Sequence, residues 1–268
     1  MDTIGFIGGG RMAEALINGI CSAGLVARNN IYVSEPVAAR RLELEKEYKV
    51  TVCDSAEPVL QACRTVVLAV KPQVVATVLR ELTAGLTKNH LLISIAAGIS
   101  TDVLHRHTGS TGCRLIRVMP NTPALVQEGA AGMCAGPGAL PEDMDKALAL
   151  FQAVGTAVVL DESLMDAVTG LSGSGPAYVF AFLEAMTMAG INCGLSRDAA
   201  EQLARSTIVG SIRLVEHTGK HPAELTAMVT SPGGTTIAGL HVLEKGGFKG
   251  MIMDAVAAAT RRSRELGQ

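Results

Sequence analysis

Short apolar runs alternate with amphipathic stretches through the first 160 residues of the chain. Runs rich in Val, Ile and Leu predict strands, and stretches with apolar residues three or four positions apart predict helices. The predicted strands lie at 3–7, 31–33, 50–52, 65–70, 91–95, 115–119, 130–134 and 156–160. The predicted helices cover 12–20, 38–48, 55–62, 72–82, 100–107 and 143–153. This order predicts a doubly wound α/β fold, with a mostly parallel sheet covered by helices on both faces.

The strand pattern stops near Asp161, and the rest of the chain predicts helices alone. They cover 163–170, 176–190, 197–217, 222–229, 235–245 and 249–265, separated by Gly and Pro. We therefore expect one domain over 1–160 and a second, all-α domain over 161–268. The stretch 176–190 is apolar almost all round, which predicts burial on more than one side. A second copy of the chain would cover it, so we expect a homodimer.

Composition excludes several partners. The formal net charge is −2, tryptophan is absent and aromatic residues make up 3% of the chain, so neither phosphate neutralisation nor base stacking is favoured. We expect no nucleic-acid partner. No apolar run approaches the roughly 18 to 20 residues that cross a bilayer, so we expect no membrane association. The start MDTIGFIGGG lacks the basic region of a signal peptide, so we expect a cytoplasmic protein.

Cysteine and histidine spacing does not favour a metal site. The six cysteines form no Cys-x-x-Cys pair and lie among apolar or small residues, which predicts reduced, mostly buried thiols. His217 and His221 are four residues apart, but Gly219 and Pro222 interrupt any helix through them. We therefore expect no metal.

A glycine-rich turn follows the first predicted strand. Gly8-Gly9-Gly10-Arg11-Met12-Ala13 matches the pattern G-x-G-x-x-A and opens a predicted helix. Gly8 permits the tight turn, Gly10 lets a pyrophosphate approach the backbone, and Ala13 allows close helix packing. Because the strand, the helix and the β-α-β unit are all in place, we expect a Rossmann-type dinucleotide site.

The end of the second predicted strand leaves the choice between NAD and NADP open. Glu35 follows Ser34 there and would bind the adenosine ribose hydroxyls, which favours NAD. Arg40, Arg41 and Ser34 could instead contact the 2′-phosphate of NADP. Both arginines are equally compatible with a solvated helix face.

Three further turns lie at the carboxyl ends of predicted strands, where ligands bind in such sheets. They carry Ala69-Val70-Lys71-Pro72, Ala97-Gly98 and Asn121. We expect these residues to form the floor of a nicotinamide pocket. Lys71 is the one candidate acid or base among them, and it is equally compatible with a contact to phosphate.

The segment SPGGTTIAGL, 231–240, contains the start of a predicted helix, and the two residues before that helix are glycines without side chains. Gly233 and Gly234 leave the first main-chain N–H groups accessible, and such an end can bind an anion. An ordinary turn with Thr235 as N-cap explains the same pattern.

Six segments together resemble pyrroline-5-carboxylate reductase along essentially the whole chain. They are GFIGGGRMAEAL, LAVKPQ, SIAAGI, RVMPNTPA, TGLSGSGPAYVF and SPGGTTIAGL. The resemblance implies reduction of 1-pyrroline-5-carboxylate to L-proline by NADPH or NADH, with some preference for NADPH. It also implies a helical dimerisation domain, an active site shared between subunits, and in some relatives the assembly of five dimers into a decamer.

The resemblance also implies roles for individual residues. The amino end at Ser231, Gly233, Gly234 and Thr235 would bind the substrate carboxylate, and the Thr236 hydroxyl would bind the ring nitrogen. Ser174 and Gly175, at another bare helix start, would line the same pocket or simply permit close helix packing. Ser55 would lie near the adenosine phosphate. Ser55 and Arg11 both stand where the family commonly has asparagine, which leaves the cofactor preference open.

Two other functions are alternatives to the predicted reductase. A reductase of the β-hydroxyacid dehydrogenase type would need a lysine on the long helix, and 177–189 contains none. A dinucleotide-sensing module without catalysis would need no anion site at 231–236.

Overall fold

The structure is a computed structural model, and it describes residues 3–267. Eight strands form one sheet in the order β3-β2-β1-β4-β5-β6-β7-β8. The strands are β1 (Ile4–Ile7), β2 (Ile31–Ser34), β3 (Thr51–Cys53), β4 (Thr65–Leu68), β5 (Leu91–Ser94), β6 (Arg114–Met119), β7 (Gly129–Ala135) and β8 (Gly155–Val159). Neighbouring strands are parallel except β6 and β7, which are antiparallel. The predicted mostly parallel sheet is confirmed.

Twelve α-helices occur in the described part of the chain. They are α1 (Arg11–Ser22), α2 (Ala38–Tyr48), α3 (Glu57–Ala62), α4 (Val75–Leu82), α5 (Thr101–Thr108), α6 (Pro141–Gln152), α7 (Met165–Val168), α8 (Gly175–Asn192), α9 (Arg197–Thr218), α10 (Pro222–Met228), α11 (Thr235–Lys245) and α12 (Phe248–Leu266). Within residues 3–267, no helix is long and apolar enough to cross a membrane.

Alternating side chains divide the sheet between two hydrophobic cores. Ile4 and Phe6 of β1 pack with α1 and α6 on one face, whereas Ile7 packs with α3, α4 and α5 on the other. This follows from the two-residue period of a strand. Phe6 is fully buried, and its replacement by alanine is expected to lower the free energy of unfolding by about 3–5 kcal/mol.

The sheet reverses its winding between β1 and β4. Loops from both sides therefore meet beyond the carboxyl ends of these strands, at the topological switch point where such folds bind ligands. Main-chain hydrogen bonds hold the loops together here: Gly8 N–H donates to Ser34 O at 2.8 Å and Ala69 N–H donates to Ile7 O at 2.8 Å. The fold thus assembles the dinucleotide-binding edge from residues far apart in sequence.

The chain divides into two compact units. The first contains residues 3–174 and 257–267, and the second contains Gly175–Val256. In the second unit only Thr187, Ala200, Ala204 and Leu225 are buried within the single chain. A unit of this size with so few buried residues does not enclose a core of its own.

Two helical predictions differ from the structure. The stretch 72–82 begins with a 3₁₀ turn at Pro72–Val74, and α4 starts only at Val75. Pro72 does occupy the predicted first position, where no N–H is needed. The stretch 163–170 is not one helix but a 3₁₀ turn, the short α7 and a π-helical turn at Thr169–Gly173. The remaining helices of the second half lie within two residues of their predicted bounds.

The cysteines are all free thiols, but they are less uniformly buried than predicted. Cys63, Cys113 and Cys134 are buried, Cys21 and Cys53 are half-buried, and Cys193 is exposed. Burial raises the pKa of Cys63 and of Cys134 to about 11. The helix break predicted between His217 and His221 is present, since α9 ends at Thr218 and α10 begins at Pro222.

Candidate active site

The glycine turn between β1 and α1 has the geometry that a dinucleotide requires. Gly8 has φ +97, and a Cβ there would lie 2.7 Å from Ala69 O, so only glycine fits. A Cβ on Gly10 would meet no heavy atom within 4 Å, which leaves open space before the first turn of α1. Gly10 caps α1 without a side-chain hydrogen bond, so its first N–H groups can bind a pyrophosphate.

The Glu35 carboxylate stabilises the glycine turn through hydrogen bonds to main-chain N–H groups. Its Oε2 accepts the Gly9 N–H at 3.0 Å and its Oε1 accepts the Val37 N–H at 2.9 Å. The residue is buried, with 9% of its surface exposed. The carboxylate therefore holds the glycine turn in place, a role that the motif did not predict, and its predicted contact with the ribose remains a prediction.

The two arginines after Glu35 make different contacts. Arg40 donates to Gly9 O at 2.8 Å and to the carboxylates of Glu14 and Glu43, both at 3.0 Å. Arg41 donates to Glu35 O at 2.9 Å and Pro36 O at 2.8 Å. Arg40 is thus held within the protein by carboxylates, whereas the contacts of Arg41 are with neutral carbonyls and leave its charge available to a ligand.

Glu14 connects α1 to α2 under the same turn. It accepts hydrogen bonds from Arg11, Arg40 and Tyr48. Burial by itself would raise the pKa of Glu14, but these hydrogen bonds outweigh it and hold the pKa below its ordinary value. Burial and the hydrogen bond to Glu14 raise the pKa of Tyr48 to about 12. The predicted cofactor contact Arg11 is largely exposed, so it remains accessible despite its ion pair.

Several predicted cofactor residues line one cavity of about 590 Å³ near β2 and β4. They are Gly8, Ser34, Ser55 and Val70. Sequence reasoning missed three carboxylates in the same lining, Asp54, Glu57 and Glu81. Their like charge opposes a 2′-phosphate at this end of the site.

Two other predicted cofactor residues pack against the hydrophobic core. Ala13 is fully buried, and Met12 packs against the core cluster that includes β1. Both therefore stabilise the glycine turn by packing.

A second cavity, of about 370 Å³, lies wholly within the first unit. Its lining includes Pro72, Ala97 and Gly98 from the predicted nicotinamide floor, together with Ser174 from the predicted substrate site. It also includes Arg262 and Ser263 of α12, which no motif indicated. Residues predicted to contact the cofactor and a residue predicted to contact the substrate therefore line the same cavity.

Asn121 and Lys71 lie outside both cavity linings. The Asn121 side chain donates to Ser172 O at 3.0 Å and accepts the Ala130 N–H at 2.8 Å. It therefore ties the loop after β6 to the segment that leads to Ser174. Lys71 is exposed beside Ala69 and Val70, and direct cofactor contact by Lys71, Ala69 and Asn121 remains a prediction.

The second unit contains α11, whose amino end is preceded by two glycines. Gly233 has φ +67, which favours glycine, whereas a Cβ on Gly234 would require the Ser231 hydroxyl to rotate away. Gly234 caps α11 without a side-chain hydrogen bond. A cavity of about 510 Å³ adjoins the helix and is lined by Gly233, Gly234 and His241 among others. This start has the open N–H groups of an anion site.

Ser174 and Gly175, the two predicted substrate contacts near the start of α8, have different local structures. Ser174 closes the π-helical turn, its N–H donating to Thr169 O at 2.9 Å. A Cβ on Gly175 would meet nothing within 4 Å, so close packing within this chain does not require glycine there.

The mostly parallel sheet, its switch point and the glycine turn define an NAD(P)H-dependent oxidoreductase with a Rossmann domain. Residues 3–98 match the family model described as NADP oxidoreductase coenzyme F420-dependent. Residues 162–266 match the model described as pyrroline-5-carboxylate reductase dimerisation. The chain belongs to the pyrroline-5-carboxylate reductase family.

Full-length relatives support this assignment. The chain is 46% identical to the pyrroline-5-carboxylate reductase of Arabidopsis thaliana over 99% of its own length and 95% of the relative. Its structure is similar to that of a pyrroline-5-carboxylate reductase from Coxiella burnetii, with a TM-score of 0.92, 34% identity and coverage of 99% and 98%. It is also similar to a Plasmodium falciparum pyrroline carboxylate reductase with NADP bound, with a TM-score of 0.89, 34% identity and the same coverage.

Proposed function

We propose that this protein reduces the C=N bond of 1-pyrroline-5-carboxylate to give L-proline, the last step of proline synthesis. Bound NAD(P)H would supply a hydride to the carbon of the C=N bond, and a proton from water would complete the amine at nitrogen. The observation that carries the proposal is the open amino end of α11, in a chain whose relatives are pyrroline-5-carboxylate reductases along their whole length.

The substrate carboxylate binds the first N–H groups of α11. The helix dipole and the unpaired N–H groups favour a negative charge there, and Gly233 and Gly234 let it approach the backbone. Ser231 and Thr235 add hydroxyl groups on either side of the glycines. The Thr236 hydroxyl hydrogen-bonds the ring nitrogen and orients the ring, so that alignment supplies much of the rate. Ser174 and Gly175 are further proposed contacts of the substrate.

NADPH is the preferred reductant in this proposal, with NADH also used. Ser34 and the free charge of Arg41 attract the 2′-phosphate, while Asp54, Glu57 and Glu81 in the same region repel it. Because these charges oppose each other near the protein surface, we expect a ratio of kcat/KM values below about ten in favour of NADPH.

The active assembly is a cytoplasmic homodimer, as the dimerisation family and the uncovered α8 support. A decamer built from five such dimers is compatible with the same interface.

The test is direct. Purified protein is mixed with 1-pyrroline-5-carboxylate and either NADPH or NADH, loss of the nicotinamide absorbance is followed, and proline is identified in the product. We expect substrate-dependent oxidation of both cofactors with equimolar proline. Tight cofactor binding without proline formation would refute the proposed reaction.

A further inference from the structure

The loop between β5 and α5 carries two of the predicted nicotinamide contacts, Ala97 and Gly98. Gly98 has φ +74, a conformation that fits few residues other than glycine. Both residues line the 370 Å³ cavity of the first unit. The position of this loop therefore sets the shape of the cavity wall.

Glu162 holds the end of this loop where α5 begins. Its Oε1 accepts the Thr101 main-chain N–H at 2.6 Å, and its Oε2 accepts the Thr101 hydroxyl. Thr101 is the first residue of α5 and is 4% exposed. A carboxylate at a helix amino end is also stabilised by the helix dipole. The loop is thus anchored by a residue 61 positions further along the chain.

A buried arginine fixes Glu162 in turn. Arg117 of β6 donates to Glu162 Oε1 at 3.2 Å, and its side chain is 6% exposed. Its other terminal nitrogen lies 3.9 Å from Asp166 Oδ1. A guanidinium so well covered holds its carboxylate partners in a defined geometry.

Asp166 extends the same network to α12. Its Oδ1 accepts the Ser263 hydroxyl at 2.6 Å, and its Oδ2 lies 3.9 Å from Arg264 Nε. Ser263 lines the cavity, and its carbonyl oxygen lies 3.7 Å from the position of a Cβ on Gly98. The network therefore reaches the nicotinamide loop from both sides.

We propose that Glu162 is a positioning residue for hydride transfer. With Arg117 and Asp166 it holds the loop that contains Ala97 and Gly98 and so aligns the nicotinamide with the imine. The proposal rests on the reductase activity proposed above. It assigns to Glu162 an effect on kcat rather than on substrate affinity, since Glu162 acts through Thr101.

The first test needs no cofactor. Hydrogen–deuterium exchange is measured on peptides covering 95–104 in the cofactor-free protein, for wild type, Glu162→Ala and the control Asp161→Asn. Asp161 is the adjacent exposed carboxylate. We expect exchange to quicken about tenfold in Glu162→Ala and to stay at the wild-type rate in the control. Equal exchange in all three proteins would overturn the proposal.

The second test separates positioning from binding. In Glu162→Ala, kcat should fall about 10- to 100-fold, with KM and dinucleotide Kd within about threefold of wild type. Glu162→Gln, which can still accept the Thr101 N–H, should lose less of kcat. If Glu162→Ala does not fold, Thr101→Val should lower kcat about threefold or more.

A rise in KM at constant kcat, or equal losses for Gln and Ala, would overturn the proposal. A wild-type protein that makes no proline would instead refute the proposed function, while the exchange result would still report on the loop.

Discussion

The hydroxyl of Thr236 is the side-chain group to which the proposed reaction assigns the most direct role. It lies on the second residue of α11, two positions after Gly234. Its neighbours in the chain provide N–H groups but no strong acid or base. Its contribution is therefore expected to be orientation of the ring nitrogen rather than transfer of the proton.

Replacing Thr236 by alanine should lower kcat/KM by roughly one to three powers of ten, about 1.4 kcal/mol for each. Thr236→Ser retains the hydroxyl and is the matched control, with an expected loss below about tenfold. Steady-state kinetics with 1-pyrroline-5-carboxylate and NADPH measure both. A fully active Thr236→Ala protein would remove this role from Thr236.

Some residue roles could be predicted from sequence because they depend on local properties. The need for glycine at position 8 follows from a strand–turn–helix motif, and the structure gives it the expected positive φ. The contacts of Glu35 with Gly9 and of Arg40 with Glu14 could not be predicted in this way. They depend on which side chains the folded sheet brings together, and spacing along the chain carries no such information.

At the scale of elements, the pairing of α1 with α2 supports the dinucleotide turn. Glu14 of α1 accepts hydrogen bonds from Arg40 and Tyr48, both on α2. The succession of strands and helices along the chain was predictable, because hydrophobic periodicity repeats over many residues. The π-helical turn at Thr169–Gly173 was not, since its sequence pattern resembles that of an ordinary helix.

Burial of Tyr48 and its hydrogen bond to Glu14 predict that the stability of the protein depends on alkaline pH. The pKa of Tyr48 is raised from 10.0 to about 12 in the folded protein, so folding favours the protonated phenol. Its contribution to the free energy of unfolding is complete below pH 10 and is lost as the pH rises towards 12.

Urea unfolding of wild type and Tyr48→Phe at pH 8 to 11.5 measures this contribution. The stability difference between the two proteins should shrink as the pH rises. A difference that is constant across this range would contradict the assigned pKa.

At the scale of the whole molecule, the apolar surface of the second unit indicates self-association. Val179, Phe180 and Met188 of α8 are all about half or more exposed in the single chain. Large apolar side chains exposed to this extent along one helix are typical of an interface. The sequence indicated this from the nearly uniform apolarity of α8, although it could not indicate which residues the partner covers.

We expect light scattering after size-exclusion chromatography to give about twice the chain mass of 27.8 kDa, or a multiple of that dimer. Phe180→Glu, at a position 64% exposed in the single chain, should dissociate the assembly and abolish activity. Leu42→Glu on α2, at a position 67% exposed, is the matched control and should leave the mass unchanged. An unchanged mass for Phe180→Glu would exclude α8 from the interface.

In the proposed reaction, the amino end of α11 binds the carboxylate of a cyclic imine that NAD(P)H reduces. The most direct measurement compares kcat/KM for 1-pyrroline-5-carboxylate and for 1-pyrroline, which lacks the carboxylate, at equal NADPH. We predict a loss of about 100-fold or more for 1-pyrroline, since a charge-assisted hydrogen bond contributes about 1.5–3 kcal/mol and at least two are expected. Equal kcat/KM values for the two imines would contradict the account.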